Sequence, residues 1–556
     1  MPISSPDAVN GTAGPGTAVL DEAHVGDIKG ALGTIALGDV APRRKLSKKL
    51  KTLLAVIGPG LIVMVGDNDA GAFSTYSQAG QDYGTRLLWT LLLLVPVLYV
   101  MQEMVVRLGA VTGVGHARLI LERFGKFWGA FSVIDLFILN ALTIVTEFIG
   151  ISLAVEYLGL PRVPTVIVAA VLVIVAASTG SFRRFERICV ALCLGSLILI
   201  PVYLIIHPGL GAMAHGALVP GFPRGAQLST VMLLIIAIVG TTVAPWQLFF
   251  QQSYIVDKRI TPRFLRYEKA DLMIGIGFVL IGAFALMGLT AGLFTGHPGF
   301  GSFTDAGGVA TALGHDAGHA AGILFAIALL DASIIGASAV GLSTSYAISD
   351  VLSLNHSLHR PVTNAKAFYG CFGALIAIAA ALVVIPGIPL GTLTEGVQTL
   401  AGVLLPSAGV FLLLLCNDKA VLGPWVNGRG RNAVAAVIIW VLVLLSIVLT
   451  ASVLFPGISG PAIVAVLAGG AVLGLAGGGV LIAWGRHART GGRPAGGHDA
   501  GAVPAGDKDA WRMPPLHSLS RPVLSVQRKV GLLTLRGYLI VAGALVILKI
   551  VQSVTG

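Results

Sequence analysis

Long apolar runs, separated by short polar segments, extend over most of this 556-residue chain. A run of about 20 apolar residues crosses the ~30 Å hydrocarbon core of a bilayer as a helix, which satisfies its own backbone hydrogen bonds there. The pattern therefore predicts thirteen membrane-spanning helices. They lie near residues 51–80, 86–106, 127–157, 163–179, 187–206, 228–255, 269–295, 319–352, 366–385, 389–416, 432–455, 461–484 and 534–553.

Basic residues between the runs indicate how the helices are oriented. Six Lys and Arg residues lie within residues 43–51, before or at the start of the first run, so the N-terminus is predicted to be cytoplasmic. When the spans alternate from there, only Arg86, Arg162, Arg224 and Lys549 fall on the outer side, which leaves 33 of the 37 basic residues on the cytoplasmic side. Thirteen spans then place the C-terminus outside.

Composition narrows the class of protein. Apolar residues make up 55% of the chain and charged residues only 11%, too few to cover the surface of a soluble protein. The formal net charge of +11 is explained by the orientation of the helices and needs no nucleic-acid partner. The four cysteines lie in or beside apolar runs without a CxxC pair, as small buried residues do; they are Cys189, Cys193, Cys371 and Cys416.

Two segments outside the spans have the composition of flexible chain. Residues 1–42 lack the basic flank and apolar stretch of a signal peptide, and we expect a disordered cytoplasmic tail. Residues 485–533 are Gly-, Pro- and Ala-rich and basic, which predicts a cytoplasmic linker. The other predicted regions are 43–206 for spans one to five, 228–416 for spans six to ten, 432–484 for spans eleven and twelve, and 534–553 for span thirteen.

Acidic residues occur inside the first span, which reads GPGLIVMVGDNDAGAFSTYSQAG with Asp67, Asn68 and Asp69 in its middle. A charged group at membrane depth costs ~2.5–3.5 kcal/mol on insertion scales, so each is a candidate functional residue. We predict that the helix is broken there and turns carboxylates and unpaired carbonyls towards a cavity, the usual ion site of secondary transporters. The alternative is that the span ends at Gly66 and the acids lie in an outer loop.

The sixth span, IAIVGTTVAPWQLFFQQSYIVDK, is interrupted by Pro245. Proline cannot donate a backbone hydrogen bond, and its ring clashes with the preceding turn. A break here would free the carbonyls around Thr241, whereas the alternative is an ordinary proline kink. Interrupted helices in spans one and six are typical of two inverted five-span repeats with a site between them at the midplane.

Polar residues in three further spans are either partners in hydrogen bonds between helices or additional ligands and relay groups. In the third span, Asn140, Thr143 and Glu147 share one helical face. The other members of the set are Asp135 and Thr146 in that span, Asp331 and Ser333 in the eighth, and Glu395 and Gln398 in the tenth.

These motifs carry a family resemblance. The GPG of the first span followed by an acid nine residues on, and the TVAPWQL of the sixth, resemble the Nramp family of divalent-metal transporters over roughly residues 50–455. The resemblance implies an all-α polytopic membrane protein with the LeuT-type fold, two inverted five-helix repeats plus about three extra C-terminal helices. With the acids of the first span it implies a metal site of Asp67, Asn68, Asp69, Thr241, Ala244 and Gln398, lined by Gly71, Ala72, Pro245 and Trp246.

The chain departs from the family pattern at this site. The family's Asp-Pro-Gly-Asn reads Asp69-Ala70-Gly71-Ala72 here, and its Ala-Thr-Val-Met-Pro-His reads Thr-Thr-Val-Ala-Pro-Trp from Thr241 to Trp246. A thioether favours transition metals, so Ala244 in place of the methionine leaves oxygen ligands that suit a hard ion. The smaller side chains predict a wider cavity, which suits a partly hydrated Mg²⁺. The sequence therefore resembles the branch of Nramp-related magnesium transporters.

Proton coupling is not expected from the sequence. The resemblance implies proton transfer through groups that are replaced here by Trp246 and Ile144, which leaves Glu147 as the candidate relay. We expect uncoupled import of Mg²⁺, or of Mn²⁺, driven by the membrane potential at ~4.6 kcal/mol per 100 mV for a divalent ion. We expect a cell-membrane protein without enzymatic activity, cofactor or nucleic-acid partner, whose metal ion is the cargo.

Other functions stay open at this point. A proton-coupled Mn²⁺ or Fe²⁺ importer would need softer ligands from elsewhere, namely Met64, Cys189, Cys193 or Cys371. A symporter for an organic substrate and a channel without alternating access are further alternatives. An intramembrane Mg²⁺–diphosphate enzyme would need a second Asp-rich motif, which the sequence lacks. In the outer loop GHDAGHA, His315 and His319 are either a metal-capture pair or unrelated loop residues.

Overall fold

The computed structural model describes residues 21–223, 225–386, 390–455, 457–490, 505–519 and a few positions between 532 and 544. Helices dominate these residues, and one short two-stranded hairpin is the sheet that they contain. The prediction of an all-α polytopic membrane protein is confirmed apart from that hairpin.

The first half of the chain forms ten helices in the part that the structure describes. They are α1 (Leu46–Val56), α2 (Pro59–Val65), α3 (Ala70–Tyr83), α4 (Trp89–Thr112), α5 (His116–Phe124), α6 (Lys126–Tyr157), α7 (Arg162–Ala177), α8 (Phe182–Gly195), α9 (Leu199–Ile206) and α10 (Leu210–Leu218).

The second half forms ten more helices within the described residues. They are α11 (Leu228–Thr242), α12 (Pro245–Asp257), α13 (Leu265–Phe294), α14 (Ala306–Asp316), α15 (His319–Leu352), α16 (Lys366–Val384), α17 (Leu390–Cys416), α18 (Lys419–Leu422), α19 (Arg429–Leu454) and α20 (Gly460–Thr490).

Ten helical segments of the described residues are long and apolar enough to cross a membrane. Two of the thirteen predicted spans are described but are not among these ten. The first is divided into α2 and α3, and the fourth, α7, has 16 residues. The predicted thirteenth span, 534–553, lies largely outside the described residues.

The two halves pack in a matching pattern. Helices α2 and α3 of the first half contact α13, and helices α11 and α12 of the second half contact α4. The long helices α6 and α15 lie against each other. Each broken span is therefore held by an intact helix from the other half, as in two interlocked repeats.

Part of the N-terminal segment is folded, so the prediction of a disordered tail is wrong for residues 21–42. Strand β1 (Ile28–Gly30) pairs antiparallel with β2 (Gly33–Ile35). Arg183 of α8 donates to two hairpin carbonyls at 3.1 Å, and Glu186 accepts a hairpin N–H at 2.5 Å. Charged side chains of α8 therefore hold the hairpin of the tail in place.

Part of the predicted linker at 485–533 is folded as well. The indole N–H of Trp425 donates to the carbonyl of Lys508 at 2.9 Å, and the N–H of Met513 donates to the carbonyl of Val111 at 3.3 Å. Residues 505–519 therefore pack on the end of α4 and on the connection between α18 and α19.

Candidate functional site

The first span is broken where the sequence predicts it. Helix α2 ends at Val65, and the N–H groups of Asp67 and Asn68 turn back to carbonyls three residues earlier, at 3.2 and 3.0 Å. Helix α3 then begins after Asp69, whose side chain accepts the N–H of Ala72 at 2.8 Å as an N-cap. The carbonyl end of α2 and the capped start of α3 therefore meet at the break, and no outer loop lies between them.

The sixth span is broken at the predicted proline. Helix α11 ends at Thr242, two residues are non-helical, and α12 begins with Pro245. Because Pro245 has no N–H, the carbonyl of Thr241 lacks the partner that a continuous helix would give it. The Thr241 hydroxyl is buried and has no hydrogen-bond partner among the described residues. The break thus leaves oxygen atoms available next to the first-span acids.

Asp69 and Glu147 form the centre of the site. Glu147 accepts the N–H of Ala70, the residue that follows Asp69, at 3.2 Å, so the two carboxyl groups are neighbours. Both side chains are buried, at 3% and 0% exposure. The structure therefore brings the candidate relay of the third span next to the candidate ligand of the first.

Gln398 of α17 reaches the same break. A Cβ at Gly71 would collide with its amide nitrogen, so the glycine permits this close approach. The amide nitrogen has no hydrogen-bond partner in the part of the chain that the structure describes. Gln398 therefore packs against the start of α3, close to Asp69, with an unpartnered amide nitrogen; its role as a ligand stays a prediction.

Asp67 lies in a separate set of contacts. One carboxylate oxygen accepts a hydrogen bond from the amide nitrogen of Gln247, and the other has no partner among the described residues. Nearby, the hydroxyl groups of Tyr76 and Thr242 are 2.7 Å apart and join the two broken spans. Sequence reasoning missed both Gln247 and Tyr76; the available signal was an amide directly after Trp246, inside an apolar run.

Asn68 contacts the neighbouring helix α13. Its amide nitrogen donates to the carbonyl of Val279 at 3.2 Å, and a Cβ at Gly282 would collide with that nitrogen. Its amide oxygen is buried and has no hydrogen-bond partner among the described residues. Asn68 therefore anchors the break to α13 through its nitrogen, and its oxygen stays a predicted ligand.

The remaining predicted site residues line the breaks. Ala72 is buried in the first turn of α3, and Ala244 is the N-cap residue of α12 at 5% exposure. Trp246 is also buried, and its carbonyl accepts a hydrogen bond from the hydroxyl of Ser343 at 2.9 Å. Two water-sized cavities of about 10 Å³ flank this region, one beside Ala70 and one beside Pro245.

Softer metal ligands lie elsewhere. Met64 is in α2 but lies against Gly275 of α13, and Cys189, Cys193 and Cys371 are in α8 and α16. Within the described residues, no three His, Cys, Asp or Glu side chains form a group that could hold a metal ion. A cation at the breaks would therefore be bound by Asp69 together with amide, carbonyl and water oxygens.

Several of the other predicted polar residues form hydrogen bonds between helices. Asn140 donates to the hydroxyl of Thr344 at 2.8 Å, which joins α6 to α15. Asp135 accepts from Ser407 at 3.2 Å, which joins α6 to α17. His315 is exposed near the end of α14, and its ring nitrogen lies 2.5 Å from the carboxylate of Asp316. His319 is the first residue of α15.

Comparisons with known proteins agree with this architecture. The family model described as natural resistance-associated macrophage protein-like (Nramp) matches residues 60–452. The chain is 30% identical over 402 residues to the divalent metal cation transporter MntH of Ralstonia nicotianae, covering 69% of this chain and 88% of that protein. It is 26% identical over 429 residues to MntH of Latilactobacillus sakei subsp. sakei, covering 72% and 89%.

A solved structure is similar over most of the chain. The manganese transporter of Eremococcus coleocola, in complex with an aromatic bis-isothiourea substituted compound, superposes with a TM-score of 0.60 at 20% identity, covering 81% of this chain and 98% of that one. The likeness shows a shared fold, the LeuT-type fold that the sequence predicts.

Proposed function

The chain belongs to the Nramp family of divalent-metal transporters, and from that premise we propose that it imports a hard divalent cation, Mg²⁺ in particular, by alternating access. The membership makes it a multi-pass transporter whose metal ion is cargo. We propose in addition that it prefers Mg²⁺, that transport is not coupled to protons and that the N-terminus is cytoplasmic.

The observation that carries the proposal is the set of oxygen ligands at the two breaks. Asp69, Gln398 and the carbonyl of Thr241 come from the broken spans and α17, and Ala244 stands where the family has its thioether. Carboxylate, amide, carbonyl and water oxygens suit Mg²⁺ and Mn²⁺, whereas a thioether would favour softer ions. A site with oxygen ligands only has no soft ligand that would favour transition metals over Mg²⁺.

Helix ends support a cation at this position. The carbonyl ends of α2 and α11 point at the breaks and carry partial negative charge. The buried carboxyl groups of Asp67, Asp69 and Glu147 have no Lys or Arg hydrogen-bond partner among the described residues. A divalent ion supplies the positive charge that these groups lack.

A second candidate is proton-coupled import of Mn²⁺. The names of the relatives favour it over Mg²⁺ selectivity, and the burial of Asp69 beside Glu147 is the structural observation behind it. Two neighbouring buried carboxyl groups resist being charged together, so one of them holds a proton, which an arriving cation would displace. Glu147 could then pass that proton on during the transport cycle.

Uptake into proteoliposomes separates the two candidates. Purified protein is reconstituted with a pH dye inside, and uptake of Mg²⁺, Mn²⁺, Ca²⁺ and Ni²⁺ is recorded with a membrane potential, negative inside. We expect Mg²⁺ uptake, competition between Mg²⁺ and Mn²⁺, and no internal acidification. Acidification that accompanies Mn²⁺ entry, without competition by Mg²⁺, would establish the second candidate instead.

A further inference from the structure

Gln247 touches both broken spans at once. Its amide nitrogen donates to the carboxylate of Asp67 in the first break and, at 3.4 Å, to the carbonyl of Thr242 in the second. We propose that Gln247 is a positioning residue that holds Asp67 at the transport site, where Asp67 accepts a hydrogen bond from a water molecule of the cation. This inference rests on the proposed function.

The orientation of the Gln247 amide is set by a second glutamine. Gln102 of α4 donates its amide N–H to the amide oxygen of Gln247 at 3.0 Å. Since that oxygen is occupied as an acceptor, the nitrogen is the end of Gln247 that faces Asp67. Both glutamines are fully buried, at 0% exposure. Gln102 therefore donates to Gln247, and Gln247 donates to the carboxylate of Asp67.

Asp67 depends on this hydrogen bond. It is fully buried, and its second oxygen has no hydrogen-bond partner among the residues described. A buried carboxylate that loses its donor bears the full cost of its desolvation, so it turns towards other donors. This movement removes an acceptor for the hydrated cation from the two breaks.

The consequence is an effect on binding more than on turnover. The Gln247 amide is held by Gln102 and contacts Asp67 and Thr242, so its loss acts on the placement of Asp67 and weakens cation binding. We therefore expect Gln247→Leu to raise the KM for Mg²⁺ about tenfold, the equivalent of one hydrogen bond of ~1.4 kcal/mol to a charged group. The maximal rate should stay within about twofold of the wild-type rate.

Gln251 provides a matched control. It lies one turn further along α12 and is equally buried, but neither atom of its amide has a hydrogen-bond partner within the described residues. Gln251→Leu makes the same change of side chain in the same helix, and we expect its KM to equal that of the wild type. Thermal unfolding of each variant in detergent verifies that the helix bundle is intact.

A double-mutant cycle tests whether Gln247 acts through Asp67. We expect Asp67→Asn to raise the KM by at least as much as Gln247→Leu, and the double variant to match Asp67→Asn alone. Gln102→Leu, which frees the Gln247 amide to rotate, should raise the KM about threefold on its own. Combined with Gln247→Leu, it should add nothing.

Two results would overturn the inference while leaving the proposed function intact. One is a wild-type KM in Gln247→Leu. The other is an increase that adds fully to that of Asp67→Asn, which would assign Gln247 a structural role of its own. If the wild-type protein itself transports no divalent cation in the same assay, the proposed function fails first, and the two failures are thus distinguishable.

Discussion

Two groups of buried acids lie in the helix bundle and differ in what neutralises them. The midspan acids, Asp67, Asp69 and Glu147, have amide, hydroxyl and carboxyl neighbours. The compensated acids, Glu186 of α8 and Asp271 of α13, lie near the start of α2, close to Lys258. All five side chains are nearly fully buried, so the difference between the groups is one of partners.

Each compensated acid has its full set of partners. Glu186 is 2.6 Å from the ammonium group of Lys258, which also donates to the carbonyls of Val56 and Ile57. Asp271 accepts three backbone N–H groups at the start of α2, the shortest from Gly60 at 2.6 Å. Acids that are paired with a cation of the protein need no further charge, whereas acids without one are neutralised by protons or by a cation from solution.

Removing the charge of Asp69 should have the largest effect. We expect Asp69→Ala to lower uptake of divalent cations at least a hundredfold in proteoliposomes, because the site loses its central carboxylate. Asp69→Asn should be as inactive, although asparagine still caps α3 as well as aspartate does. Both variants should unfold within a few degrees of the wild type.

Normal uptake by either Asp69 variant would show that the midspan acids are not the transport site. Loss of uptake together with loss of folding would instead place Asp69 with the structural acids. Only inactivity in a folded protein separates the two groups as proposed.

Removing the ammonium group of Lys258 should affect stability and not ion selectivity. Lys258→Met leaves Glu186 buried without its ion pair, which costs about 3–5 kcal/mol. We expect a marked fall in the unfolding temperature in detergent, measured by a thiol-reactive or tryptophan fluorescence assay. The double variant Lys258→Met with Glu186→Gln should regain part of the loss, because no unpaired charge remains.

An unchanged unfolding temperature in Lys258→Met would contradict the assignment of Glu186 and Asp271 as compensated acids. The ratio of Mg²⁺ to Mn²⁺ uptake should be the same in all Lys258 variants that fold, since the ion pair lies outside the two breaks.

Another buried acid, Asp350, allows the role of a charged partner to be tested with pH. Asp350, near the end of α15, lies 3.1 Å from the ring of His356 in the following loop, and Asp257 and the ring of His24 are also close. Burial opposes the charge of His356, but the hydrogen bond and charge of Asp350 outweigh it and raise the pKa of His356 to about 9.

Because this pKa is raised, the contribution of His356 to stability is complete below its unfolded value of ~6.5 and is lost as the pH rises through 9. We expect the wild type to lose about 2 kcal/mol of stability between pH 6.5 and 9.5 beyond the loss seen in His356→Gln. Thermal unfolding across this range measures it. Parallel curves for the two proteins would mean that the pair contributes nothing.

The sequence predicts where the helices break, because a break needs only local signals. Glycines, a proline and acids inside an apolar run mark Gly66 to Asp69 and Val243 to Ala244, and both breaks occur there. The partners of the polar groups are not local. Gln247 is 180 residues from Asp67, and Lys258 is 72 residues from Glu186.

The same limit explains two contacts that the sequence does not predict. Asn68 belongs to the DND motif, and its amide nitrogen binds a carbonyl of α13 that is 211 residues away. The N-terminal tail has the composition of flexible chain, yet Arg183, read from the sequence as an orientation signal, binds its hairpin. A basic residue can indicate the orientation of a helix and also bind another segment of the chain, and only its contacts in the structure reveal the second role.

The smallest expected effect tests the ligand chemistry of the midspan group itself. Ala244→Met returns a thioether to the N-cap of α12, at the position where the family has methionine. We expect the ratio of Mg²⁺ to Mn²⁺ uptake to fall about tenfold, because sulfur stabilises a transition metal and offers little to a hard ion. Competition uptake with both ions in one assay measures this ratio directly.

Ala244→Leu separates softness from size, because leucine fills a similar volume without sulfur. If the missing thioether sets the preference, Leu should slow the uptake of both ions alike and leave their ratio unchanged. An equal shift in the Leu and Met variants would mean that the width of the break, and not its ligand set, decides which cation passes. The midspan acids would then still require a cation from solution, but Asp69 and its oxygen neighbours would not select it, and selectivity would have to be sought in the hydration of the ion.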